Sequence, residues 1–346
     1  MEEFPSIEVQ GLSKSYGRVP AIHKLSFQVN KGEIVGFLGP NGAGKSTTMR
    51  ILCGLIPGSS GSARICGLSI ARQAESVKRC IGYMPENNPL PEAMRVREYL
   101  RFRGGLKEMP RRTLRRRIDE VLEICDLHYK TGRRVIGSLS KGFRQRVGVA
   151  DTILAEPAVA IMDEPTIGLD PHQVLAFRDL IHSLRGKMTI ILSSHILAEV
   201  ERACDRVIIL NQGRIVAQGT SEELRREFIR DSEYRFTLRG HGAGVAEAVR
   251  RVDPAARLSD PMPAGPGGDG AVAVRIESSR TSDMSESFLQ AIEQVPGVHV
   301  QAFFRREPSL EDIFLAATRR SWKETEESLG RSTVRSVAAD ATARDL

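Results

Sequence analysis

Gly39-Pro-Asn-Gly-Ala-Gly-Lys-Ser46 lies between a short apolar run, Glu33-Ile-Val-Gly-Phe-Leu38, which reads as a buried strand, and a helix-like segment from Thr47 to Leu55. A glycine-rich loop in that setting cradles phosphate. Its glycines let the backbone curl so that successive N–H groups point inward, and the following helix adds its positive N-terminal end. The contact set is Gly39, Asn41, Gly42, Gly44, Lys45, Ser46 and Thr47. Lys45 is expected to reach the β- and γ-phosphates, and the Ser46 hydroxyl to ligate Mg²⁺.

The 346 residues suffice for about two domains. A hydrophobic content of 41% can fill their cores, and a formal charge of +7 points to acidic partners such as nucleotide, nucleic acid or anionic headgroups. Cys53, Cys66, Cys80, Cys125 and Cys204 are scattered and lack C-x-x-C spacing, so they are expected to be buried thiols in a reducing compartment. The start, Met-Glu-Glu-Phe-Pro, is acidic and reads as no signal peptide, and no run approaches the ~18 apolar residues a spanning helix needs. A membrane role is therefore expected only through a partner.

Ile7 to Gln10 and Leu25 to Val29 alternate as strands do, with Asn30-Lys31-Gly32 as the turn into the next strand. Ala63 to Cys66 reads as a strand, Ala71 to Lys78 as a helix and Cys80 to Met84 as a strand. From Arg95 to Ala155 the pattern is helical. Ala158 to Met162, Thr189 to Leu192 and Arg206 to Leu210 are apolar, β-branched runs suited to a parallel sheet covered on both faces, with a helix from Pro171 to Arg185 between the first two. Near Asp231 the character changes to a small α+β unit. Its expected strands are Tyr234 to Arg239, Ala271 to Ile276 and Val298 to Phe304; its expected helices are Val245 to Val252, Met284 to Gln294 and Leu310 to Thr318. A Pro/Gly-rich loop covers Asp260 to Gly270, and the polar stretch Arg320 to Leu346 reads as a disordered tail.

Ala158-Val-Ala-Ile-Met-Asp163-Glu164-Pro places two carboxylates where a strand ends. Nucleotide hydrolysis beside a phosphate loop needs such a pair. Asp163 would hold Mg²⁺ through its water shell, and Glu164 would polarise the attacking water.

With the continuation Pro165-Thr-Ile-Gly168-Leu169-Asp170, the chain resembles the ATP-binding subunit of an ABC transporter from Ser6 to about Phe228, roughly two-thirds of its length. The resemblance implies an α/β fold: a P-loop NTPase (RecA-like) core with N-terminal antiparallel β strands and an inserted α-helical subdomain at about 90–155, together filling residues 1–230. A small α+β C-terminal domain, 231–319, and the tail, 320–346, complete the expected division. ATP and Mg²⁺ are the implied cofactors. Leu139-Ser140-Lys141-Gly142-Phe143-Arg-Gln145-Arg matches the family's second signature, so Ser140 and Gly142 are expected to contact ATP held by the opposite subunit. His195, in Leu192-Ser-Ser-His, matches the switch histidine on the γ-phosphate and joins Glu164 and Lys45 as catalytic candidates. Tyr16 matches the aromatic that stacks on adenine. Asp170 would sit in a loop crossing the dimer interface.

Two positions depart from the family pattern. Glu86, in Gly82-Tyr83-Met84-Pro85-Glu86, stands where glutamine is usual; it is a third candidate for Mg²⁺ and adds negative charge beside the γ-phosphate. Lys141 and Phe143 replace glycine and glutamine, and Lys141 is expected to offset the charge of Glu86 or of ATP. Such departures, and the C-terminal Pro308-Ser-Leu-Glu-Asp-Ile-Phe-Leu, resemble the ABC-2 exporter branch. That branch implies permease partners of about six spans each, a homodimer or heterodimer of ATPase subunits, export, and a peripheral place on the cytoplasmic face of the inner membrane. Between Arg95 and Arg117 lie ten Lys or Arg residues against Glu98 and Glu108, a face suited either to permease and headgroups or to solvent. Nucleic acid is not expected, because the basic run lacks interleaved aromatics or zinc spacing. The alternative function is an ABC-type ATPase acting on ribosomes or DNA.

Overall fold

In the computed structural model, the described residues are 4–127, 129–228, 232–240, 244–259, 262–263, 271–279, 283–306 and 308–319. The expected tail at 320–346 and most of the expected loop at 260–270 lie outside them. Two compact units divide the chain, the first ending at Ser221 and the second spanning Glu222–Arg319.

The first unit opens with β1 (Ile7–Tyr16) and β2 (Val19–Val29), an antiparallel pair, followed by β3 (Ile34–Leu38) and helix α1 (Lys45–Leu52). Then come β4 (Ser60–Ile65), β5 (Leu68–Ser69), α2 (Ala74–Cys80) and β6 (Ile81–Met84). A helical section holds α3 (Val96–Leu106), α4 (Arg111–Ile124), α5 (Tyr129–Gly132) and α6 (Lys141–Ile153). The remainder is β7 (Val159–Met162), α7 (Pro171–Ser183), β8 (Thr189–Ser194), α8 (Leu197–Ala203), β9 (Arg206–Asn211) and β10 (Arg214–Gly219).

Among the described residues these strands form two sheets, β2-β1-β4-β5 and β10-β9-β3-β8-β7-β6. In the second, β3 lies parallel to β8 (Ile34↔Ile190) and to β9 (Val35↔Arg206), and β7 lies parallel to β8 (Val159↔Thr189) and to β6 (Ile81↔Val159). Every residue of β3, β7 and β8 is buried, as strands covered on both faces require. Phe27 of the first sheet meets Phe37 of the second edge-on at 5.2 Å, so one apolar core serves both. The consequence for function is one of direction. The loops after β3, β6, β7 and β8 all leave the same, carboxyl edge of the parallel sheet, where open α/β sheets bind ligands.

The helical section is stitched together partly by its own basic residues. Arg97 pairs with Asp119 at 2.6 Å, Arg103 with Asp151 at 2.9 Å, and buried Arg117 with Glu156 at 3.3 Å. Arg117 also donates to the Ile153 and Leu154 carbonyls at the end of α6. Part of the basic run is therefore structural, while Arg101, Arg111, Arg112 and Arg115 stay exposed.

The second unit contains α9 (Ser221–Phe228), β11 (Ser232–Gly240), α10 (Val245–Val252), β12 (Arg257–Leu258), β13 (Met262–Pro263), β14 (Ala271–Ser278), α11 (Ser285–Glu293) and β15 (Val298–Arg306). Residues 310–319 are a final helix. The unit's five strands form one sheet in the order β12-β14-β11-β15, with β13 also paired to β14 and the chain running βαβββαβ. Its core is built on Tyr234, Phe236 and Phe288, with Tyr234 and Phe288 edge-on at 5.1 Å. The second unit begins one residue into α9, whose Arg225 Nε donates to the Pro308 carbonyl at 2.9 Å.

The cysteines correct one expectation. Cys53 and Cys125 are buried, but Cys66 is exposed in the β4–β5 turn. Burial pushes the Cys125 thiol up to about 12, and burial together with the nearby Asp163 charge also raises that of Cys53. Iodoacetamide at pH 8 should therefore alkylate Cys66 in the folded protein, and Cys53 and Cys125 only after unfolding; mass spectrometry of the native and denatured digests reads the order.

Candidate functional site

The loop after β3 is shaped by two glycines. Gly44 has φ +101°, and a Cβ there would stand 2.6 Å from Ile22 Cγ2 and 2.9 Å from the Ala21 carbonyl oxygen. A Cβ on Gly39 would stand 2.4 Å from the Leu210 carbonyl oxygen. The loop thus packs between β2 and the end of β9, and only glycine fits at both points. Residues Pro40 to Thr47 line a cavity of about 470 Å³, closed on other sides by Val19, Pro20, Ala21, Glu86, Glu164, Ile167 and His195.

At its floor Lys45, only 6% exposed, donates from Nζ to the Gly39 carbonyl at 2.6 Å and lies 3.4 Å from Glu164 Oε1. Glu164 is likewise buried, and its second oxygen meets His195 Nδ1 at 2.8 Å. Its backbone is left-handed at φ +48°, a strained conformation for a non-glycine residue, and it turns the chain sharply after β7. Asp163 is 1% exposed; its Oδ1 accepts from the Ser46 hydroxyl at 3.2 Å and from the Ser193 hydroxyl at 2.7 Å. Ser193 also accepts from the Glu164 backbone N–H at 2.8 Å. One hydroxyl thus ties the Asp163 carboxylate to the Glu164 backbone. The sequence reading passed over Ser193, although it stands in the Leu192-Ser-Ser-His stretch and faces Asp163 from the neighbouring strand. Ser194 caps the same turn, accepting from the Ile196 N–H at 3.0 Å.

The fold thus brings Asn41, Gly42, Gly44, Lys45, Ser46, Thr47, Glu86, Glu164 and His195 around one cavity, with Asp163 behind Ser46; Gly39 is not in the wall and meets it only through its carbonyl, which accepts from Lys45 Nζ. It does not bring Tyr16, Ser140, Gly142 or Asp170 into the wall. Tyr16 ends β1, pairs with Val19 of the wall, and is 49% exposed with Lys14 Nζ 5.3 Å from its ring centre. Ser140 is the N-cap of α6, and a Cβ on Gly142 would collide with the Gln173 side chain at 2.6 Å. Asp170 caps α7, accepting from the Gln173 N–H at 2.9 Å. The N-terminus of α6 and the loop before α7 are therefore packed against each other.

Ser46 and Asp163 present a hydroxyl and a carboxylate 3.2 Å apart. That donor set fits Mg²⁺, which takes one or two protein oxygens and completes its shell with phosphate and water. No hydrogen bond joins Glu86 to either residue among the described residues.

A model of the ABC transporter family matches residues 22–167. The chain is 32% identical over 317 residues to the daunorubicin resistance ATP-binding protein DrrA3 of Streptomyces coeruleorubidus, an alignment covering 90% of this chain and 96% of that protein. The chain belongs to the ABC transporter ATP-binding proteins. It is also 33% identical over 321 residues to the Nod factor export ATP-binding protein I of Rhizobium meliloti, across 92% of this chain and 90% of that one. Among solved structures, an ATP-binding subunit of an ABC transporter aligns with a TM-score of 0.59 at 35% identity, over 64% of this chain and 92% of that one. As a member of this family the chain is an ATPase subunit, which binds ATP, dimerises and works with a membrane permease. No helix among the described residues is long and apolar enough to cross a membrane itself.

Proposed function

We propose that this ATPase subunit powers export, with Glu164 as the residue that orients and polarises the attacking water. The observation that carries this is the Glu164 carboxylate, buried at the phosphate cavity and held between Lys45 Nζ at 3.4 Å and His195 Nδ1 at 2.8 Å. Two oppositely placed partners fix a general base at the position it needs.

The other roles follow from position. Lys45 holds the β- and γ-phosphates, with the N–H groups of the glycine loop around them. His195 reports the γ-phosphate to Glu164 through the hydrogen bond they share. Ser46 and Asp163 hold Mg²⁺, which when bound neutralises charge on the transferring phosphoryl oxygens. Tyr16 stacks on adenine at the cavity's rim. Ser140 and Gly142 complete the site of the opposite subunit, where the N-terminus of α6 adds its partial positive charge; Asp170 borders that interface. Closure of two subunits on two nucleotides drives the permease, and hydrolysis reopens them, so binding energy does the conformational work. Export is supported by the relatives named for resistance and Nod factor export. The subunit acts on the cytoplasmic face of the membrane, with permeases of about six spans each as in the ABC-2 branch.

The test is a tagged pull-down from gently solubilised native membranes, with the soluble fraction in parallel and ATP hydrolysis assayed in each. Recovery of an ATP-hydrolysing complex with one small multi-spanning protein is the expected result. Recovery only with ribosomes or nucleic acid would overturn the transporter reading.

A further inference from the structure

A second cleft of about 290 Å³ adjoins the phosphate cavity and shares Glu86 and Ile167 with it. One wall is the chain after β6, carrying Glu86, Asn88 and Glu92; the other is the start of α6, carrying Lys141, Arg144 and Gln145. The far end of the first wall is already fastened. Glu92 pairs with Arg144 at 3.5 Å, and its carbonyl accepts from the Gly137 N–H at 3.0 Å. Asn88 is seated so closely on α6 that a Cβ at Gly148 would stand 2.1 Å from its Nδ2.

The near end is not fastened. Glu86 and Lys141 are both exposed, carry opposite charge, and make no ion pair among the described residues. Lys141 Nζ rests against the loop after Glu164, 2.1 Å from where a Cβ on Gly168 would be. Glu86 faces the cavity on its other side. Polyphosphate in that cavity raises the energy of a carboxylate at its wall, and the repulsion is relieved by turning Glu86 toward the cation across the cleft.

We propose that Glu86 and Lys141 form an ion pair within one chain when a nucleoside triphosphate occupies the cavity, tying the start of α6 to the phosphate site. The inference rests on the reading of the cavity as the ATP site. The pair transmits the γ-phosphate charge to the helix whose first turn carries Ser140 and Gly142. Lys141 and Glu86 are positioning residues for that turn.

The test is a double-mutant cycle on the full chain, at concentrations where sedimentation shows a monomer, so that any coupling is internal. The readout is equilibrium binding of a non-hydrolysable β,γ-imido ATP analogue with Mg²⁺, beside ADP. Lys141→Met should weaken analogue binding about fivefold in the wild-type background and less than about twofold in Glu86→Gln. ADP, which brings no γ-phosphate, should change less than about twofold throughout. Lys141→Gln repeats the measurement with a polar side chain. Equal losses in both backgrounds, or an equal loss for ADP, would overturn the pair. A Lys45→Ala chain that binds the analogue as the wild type does would overturn the reading of the cavity as well.

Discussion

A Glu164→Gln protein should bind ATP, accumulate as an ATP-bound dimer and hydrolyse ATP at least about a hundredfold more slowly than wild type. The substitution keeps the shape of a side chain buried between Lys45 and His195. It removes the negative charge, so the amide no longer accepts a proton from water. Losing the ion pair with Lys45 at 3.4 Å also frees that ammonium for phosphate, which favours binding as hydrolysis fails. Phosphate release measures the rate, and size-exclusion chromatography with and without ATP measures the dimer. Near-full turnover would show that another group orients the water, and the assignment of Glu164 would fall.

The second large effect is at Lys45. Lys45→Ala should weaken ATP binding by about ten- to a hundredfold, the range for loss of a charge-assisted hydrogen bond, and reduce hydrolysis to background. Among the described residues no other lysine or arginine lines the cavity, and Glu86 and Glu164 in its wall are acidic. Truncation would also leave the Gly39 carbonyl, which now accepts from Lys45 Nζ at 2.6 Å, without that donor. A melting curve alongside the binding isotherm separates loss of the loop's shape from loss of the phosphate contact. Lys45→Met, which keeps most of the side chain's volume, should lose binding to the same degree while melting near wild type. Unchanged binding in both variants would end the phosphate-loop reading.

The parallel core was legible because its strands are bounded apolar runs. Thr189 to Leu192 became β8 (Thr189–Ser194), and Ala158 to Met162 became β7 (Val159–Met162). Where pattern failed, pairing geometry explains why. β1 runs on to Tyr16, beyond the expected Gln10, through register shifts between Val9 and Leu12 and again on either side of Lys14. Those irregularities break the two-residue alternation on which a strand is recognised. β10 was missed because only two of its six residues are buried, so it carries no apolar run. β12 and β13 are two-residue strands that exist only by pairing with β14.

The candidate site divides in the same way. Local chemistry determined the phosphate loop: glycines at fixed intervals, a lysine and a hydroxyl must sit together in sequence, because consecutive backbone N–H groups build the cradle. Asp163 and Glu164 were readable for the same reason, as two carboxylates at a strand's end. Their working geometry belongs to the tertiary structure alone. β8 lies beside β7, and that adjacency lets Ser193 hold both Asp163 and the Glu164 backbone and sets His195 2.8 Å from the Glu164 carboxylate. No spacing encodes contacts between residues about thirty positions apart, because strand order is decided by which apolar faces pack best over the whole sheet. The same holds for the cleft where Glu86 faces Lys141: the sequence supplied two unusual charges, and only the packing of α6 beside β6 put them on opposite walls.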